Sequence, residues 1–172
     1  MRGVPRHHHV VRNADPAQGR RARAVRELRP HPRRSLTKFL RLRADGASRG
    51  NPGPAATGIV IEDEDGMKLR TMHRWLGVMT NNEAEYHALI DGLKAVESWK
   101  PDQLEVCLDS KLVVEQVNGG YRVKEARLKE LHARAKELLD LFPNVKVKQV
   151  PREQNKRADY LANQALDEHG KG

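Results

Sequence analysis

NNEAEYHALIDGLKAVESWKPDQLEVCLD, residues 81–109, decides the architecture of this chain. Its first part has a helical apolar period, with Tyr86, Leu89, Ile90, Leu93 and Val96 on one stripe. Asn82 is placed to cap the start, and Glu83 and Glu85 suit the positive end of the helix dipole. Pro101 follows the end. The second part, QLEVCLD, is a short apolar run that predicts a strand. A helix that hands the chain to a strand is a crossover, and crossovers make parallel neighbours.

The flanking sequence extends this unit. TKFLRLRAD (37–45) alternates apolar and charged residues as a strand does, with Asp45 at its end. AATGIVIEDEDGMKLRTMHRWLG (55–77) predicts a hairpin that turns at Glu64, Asp65 and Gly66. Downstream, SKLVVEQVN (110–118) predicts a short helix stopped by Gly119 and Gly120. EARLKELHARAKELLDLF (125–142) predicts a longer one with a seam of Leu128, Leu131, Ala135, Leu138 and Phe142. That seam is too short for a coiled coil and suits packing on its own domain. VKVKQV (145–150) predicts a strand, and EQNKRADYLANQALDEH (153–169) a final helix. The order is β-β-β-α-β-α-α-β-α. The predicted fold is α/β: a mixed five-stranded sheet, three antiparallel strands and two added through helices, flanked by helices.

The chain has 172 residues and a net charge of +9. Residues 1–37 hold ten Arg, no Lys and two acids, a net +8; residues 38–172 hold 22 bases and 21 acids, a net +1. The basicity therefore belongs to the N-terminal stretch. Without Phe, Tyr or Trp, residues 1–37 are predicted to be a disordered Arg-rich tail, and residues 38–170 the folded domain. The tail reads as a non-specific nucleic-acid arm, a targeting segment, or an inert extension. No apolar run approaches the 18 residues or more of a membrane span. The start has no secretory pattern. The lone Cys107 precludes an intramolecular disulfide and suits a reducing cytoplasm, where a monomer without an obligatory protein partner is expected.

Four acids occupy unusual places. Asp45 and Asp109 are predicted at strand ends, where sites gather in sheets with helical crossovers. Glu85 and Asp159 border the packed faces of two helices. Glu62 to Asp65 and Glu125 fall in turns or on polar faces. Singly, each of the four has an ordinary reading as a turn, cap or dipole residue. If the four meet, like charges conflict, and a divalent cation resolves the conflict. Oxygen ligands without Cys or His suit Mg²⁺ or Mn²⁺. RADGASRGNPGPAATG (43–58) is rich in Gly, but it lacks the GK[ST] of a phosphate-binding loop.

Asp45-Gly46 with Gly50-Asn51-Pro52-Gly53 and Gly58, Thr80-Asn81-Asn82 with Ala84-Glu85, Leu108-Asp109-Ser110, and Asn155 with Ala158-Asp159 and Leu161-Ala162 form four ordered blocks. Together they closely resemble type 1 ribonuclease H over residues 38–168. The resemblance implies endonucleolytic cutting of the RNA strand of RNA–DNA hybrids, with two Mg²⁺ held by Asp45, Glu85, Asp109 and Asp159. It implies that Gly46, Ala47, Asn51, Thr80, Asn81 and Asn82 meet sugars or phosphates, with little sequence preference. Small residues let backbone approach a ribose, whose 2′-OH separates RNA from DNA.

Two departures stand out. The loop QVPREQNKRAD (149–159) lacks the His that many members carry, and Arg152 is the candidate in its place. An Arg stays protonated, so it can steer a phosphate but not act as a base. NGGYRVKEARL (118–128) passes straight to the next helix, without the basic insertion of some members. Other readings are a transposase- or integrase-like nuclease of the same fold, and a hybrid-binding module without catalysis.

Overall fold

The computed structural model describes residues 38–170, and the tail predicted over 1–37 lies outside them. The chain runs β1 (Phe39–Ser48), β2 (Gly53–Glu62), β3 (Lys68–Met79), α1 (Asn81–Glu97), β4 (Gln103–Leu108), α2 (Lys111–Val117), α3 (Ala126–Leu139), β5 (Val145–Gln149), a 3-10 turn (Arg152–Gln154) and α4 (Lys156–His169). The sheet order is β3-β2-β1-β4-β5. The pairs β1–β2 and β2–β3 are antiparallel, and β1–β4 and β4–β5 are parallel. The predicted mixed five-stranded sheet is the one the chain forms.

Local chemistry fixes the turns. Asp63 Oδ1 accepts from the amides of Asp65 and Met67, both at 2.9 Å, and Gly66 takes a φ of +80° to close the hairpin. Glu62 is not in the turn but on a charged face of the sheet. It ends β2, nearly buried, with Arg43 at 3.1 Å and Arg41 at 3.7 Å. Asn82 does not cap α1. Thr80 does, because a capping box outcompetes it: Glu83 N–H donates to Thr80 Oγ1 at 3.2 Å, and Thr80 N–H donates to Glu83 Oε2 at 2.8 Å. The last helix begins at Lys156 rather than Glu153, since residues 152–154 form a tighter 3-10 turn.

The sheet is covered on both faces. On one face, Leu40, Leu42, Val106 and Leu108 meet the α1 stripe, in which Tyr86, Leu89, Ile90, Leu93 and Val96 are all buried. Helix α3 packs there as well, through Leu128, Leu131, Ala135 and Leu139. Leu139, rather than the expected Leu138, is its last buried leucine. On the other face, Ala158, Leu161, Ala165 and Leu166 of α4 meet Ala56 and Val60 of β2. Cys107 is buried in β4 as a free thiol, pushed up to about 11 mainly by burial. Among the described residues no helix is long and apolar enough to cross a membrane.

Candidate active site

The site forms where two ladders part company. The parallel ladder between β1 and β4 stops at Arg43–Cys107, whereas β1 stays paired with β2 from Asp45–Gly58 to Ser48–Ala55. Asp45 is therefore inside β1, not at its end, and the chain turns only after Ser48. Asp109 directly follows Leu108, the last residue of β4. The two aspartates flank the gap that opens as β4 leaves β1.

Two glycines bring in the helices that supply the other acids. A Cβ on Gly46 would stand 2.2 Å from the Ala84 carbonyl carbon, and one on Gly58 would stand 1.9 Å from the Ala158 carbonyl oxygen. Gly46 thus lets the first turns of α1 rest on β1, with Glu85 next to the contact, and Gly58 does the same for α4 and Asp159. The sequence reading gave Gly46 to an approaching ribose. Its first task in the fold is to seat a helix, although it and Ala47 also line the cleft.

Asp45, Glu85 and Asp109 each place a carboxylate oxygen within 4.8 Å of the others. Asp45 and Glu85 are buried, and Asp109 is half-buried. Asp159 lies outside this trio, half-buried on the first turn of α4, where its carboxylate acts directly on Asp45. Asn163, one turn on, donates to Asp159 Oδ1 at 3.3 Å. Burial, then the crowding of like charges, holds Asp45 far above the ordinary carboxylate range. Glu85 is raised by burial and by Asp109, and Asp109 by burial and Asp159. Hydrogen bonding with Asp45, and less strongly the Arg152 guanidinium, pulls Glu85 and Asp109 back down, and Arg152, an exposed 3-10 residue, lines the same cleft.

Glu85 Oε2 is buried with no hydrogen-bond partner. Such an oxygen costs free energy unless something positive meets it. An orphaned carboxylate oxygen beside two further carboxylates fits a hard divalent cation of the Mg²⁺ or Mn²⁺ type.

The residues expected to meet substrate divide. Gly46, Ala47 and Asn81 line the cleft. Asn51 Oδ1 accepts from the Asn81 amide at 3.1 Å, which ties the turn after β1 to the start of α1. The Thr80 hydroxyl is engaged in the helix cap, and Asn82 is half-buried in the first helical turn. Ser48, Gln149 and Asn163 also line the cleft without having been expected there, as does Ser110 of the Leu108-Asp109-Ser110 block. Of the first three, only Asn163 carries a signal, its spacing of one helical turn from Asp159.

Residues 43–165 match the family model described as reverse transcriptase-like. Ribonuclease HI of Halobacterium salinarum is 45% identical over 124 residues, which cover 72% of this chain and 62% of that protein. The bifunctional protein Rv2228c of Mycobacterium tuberculosis is 42% identical over 127 residues, 73% of this chain and 35% of that protein. The chain thus spans less than two thirds of the length of these curated relatives. Among solved structures, RNase H1 of Halobacterium salinarum aligns with a TM-score of 0.74 and 43% identity, over 76% of this chain and 98% of that one. LC11-RNase H1, solved in complex with an RNA/DNA hybrid, aligns with a TM-score of 0.72 and 41% identity over the same shares. The matched span takes in all four carboxylates and the whole of the sheet except the first residues of β1, and the chain belongs to the type 1 ribonuclease H family.

Proposed function

We propose that this protein is a metal-dependent endoribonuclease that hydrolyses the RNA strand of RNA–DNA hybrids with little sequence preference. The observation that carries this reading is the meeting of Asp45, Glu85 and Asp109 around an orphaned oxygen, with Asp159 at its rim. Two Mg²⁺ ions, or Mn²⁺ in their place, held by these four acids would activate a water and stabilise the departing 3′ oxygen. Asp45, in reach of the other acids, would be among the residues that hold the ions. Arg152, fixed in charge, holds a phosphate at the mouth of the cleft. Gly46 and Ala47 leave backbone open to a ribose, and Asn51 and Asn81 form a linked polar edge for the sugar 2′-OH. Thr80, the N-cap of α1, and Asn82, in its first turn, lie where the substrate strands would pass. None of these groups reads a base edge, which is the reason for the weak sequence preference. The protein acts as a cytoplasmic monomer with no obligatory protein partner.

The test is a labelled RNA–DNA hybrid with Mg²⁺. Internal cuts in the RNA strand are expected, with none in EDTA. Asp109→Asn is expected to keep the fold and lose at least ~100-fold in rate. A hybrid that is bound but stays intact would select the binding-module reading, and cleavage of duplex DNA the transposase-like one.

A further inference from the structure

Asn155 is the one fully buried asparagine among the described residues, at 0% exposure. It precedes α4 and belongs to neither the acid cluster nor the cleft lining. Its Nδ2 donates to the Ala44 carbonyl at 2.9 Å, one residue before Asp45. Its own carbonyl accepts the Asp159 amide at 3.1 Å. One residue thus touches the backbone beside both of the acids that must share a space. The segment has a second tie in the same register, because Arg43 Nη1 donates to the Gln154 carbonyl at 2.9 Å. Consecutive residues of β1 therefore hold consecutive residues of the α4 entrance.

The amide is poorly explained as packing. Its Oδ1 is buried with no partner, a cost that an apolar residue of similar size would avoid. Small residues already seat α4 on β2, through Gly58 and Ala158. What an apolar residue could not do is fix the height of α4 against β1. Asp159 lies one turn after Asn155, so sliding the helix along the strand would move its carboxylate relative to that of Asp45.

We infer that Asn155 is a positioning residue that sets the Asp45–Asp159 separation and so the cation affinity of the cluster. The inference rests on the proposed metal-dependent activity, and its test separates the two. Mn²⁺ binding is measured by calorimetry on the full chain, alongside the circular dichroism spectrum, the thermal midpoint and hybrid cleavage. Asn155→Ala is expected to keep the spectrum, bind Mn²⁺ about 10- to 100-fold more weakly, and lower kcat with little change in KM. Arg41→Met, which removes the ion pairs of this β1 residue with Glu105 on β4 and Glu62 on β2, is expected to lower the midpoint and leave Mn²⁺ affinity unchanged. If Asn155→Ala fails to fold, Asn155→Ser carries the same readouts. Unchanged Mn²⁺ affinity in a folded Asn155 variant, with only the midpoint lowered, overturns the inference. If the unmodified chain neither binds Mn²⁺ nor cuts hybrid, the proposed function itself fails, and the inference with it.

Discussion

Asp45 is pressed by three other acids, and its folded carboxyl is raised to about 10, chiefly by burial and then by Glu85, Asp109 and Asp159. Glu85 is raised to about 8, by burial and then Asp109. Both groups hold their protons more tightly folded than unfolded, where carboxyls titrate near about 4. The metal-free protein is therefore expected to be most stable below about pH 4 as far as these groups are concerned. It loses their contribution as pH rises toward 8 and then 10. Urea unfolding between pH 5 and 9 in EDTA checks this, and added Mg²⁺ is expected to flatten the decline. A metal-free stability that climbs over that range would contradict the crowding. Asp109 was legible as the acid that follows the apolar run of β4, and Glu85 and Asp159 as acids bordering apolar stripes, whereas the expected strand end at Asp45 is the interior of β1. Asn155 was not legible as a buried group, because nothing in Gln-Asn-Lys shows that a loop residue will reach back to Ala44.

Elements converge on the site through close backbone approaches. Gly46 and Gly58 each meet main-chain atoms of a helix, which cannot step aside as a flexible side chain can. Gly46→Ala and Gly58→Ala are each expected to cost on the order of 3 kcal/mol and to lower hybrid cleavage, since α1 carries Glu85 and α4 carries Asp159. Gly66→Ala, in the open hairpin turn at a φ of +80°, meets nothing within 4 Å. It is expected to cost only about 1 kcal/mol and to leave cleavage intact. Chemical denaturation of the three variants checks the ranking. Element order and the α1 stripe were legible because periodicity survives any packing. Boundaries were less so. The end of β1 depends on how far β2 stays paired, and the cap of α1 on a reciprocal bond between Thr80 and Glu83. Both are contacts between residues whose identities alone looked neutral.

Taken whole, the chain places nearly all its excess charge in residues 1–37, which carry +8 of the +9. Among the described residues, every one that lines the cleft falls between Asp45 and Asn163. Deleting residues 1–37 is therefore expected to leave kcat on saturating hybrid unchanged. Hybrid affinity measured at several salt concentrations then assigns the tail. A weaker affinity with a flatter salt slope marks a nucleic-acid arm, and an unchanged slope marks an inert extension. The solitary Cys107 gives this molecule a property of its own. The residue sits in β4 between β1 and β5, two residues from Asp109, and its buried thiol lies on the sheet face beside Glu105, held mostly un-ionised at neutral pH. An alkylating reagent is expected to reach it only when the groups that bury it on this face move away. A single covalent tag per chain would thus time the opening of the strand that delivers Asp109, with no engineered label required.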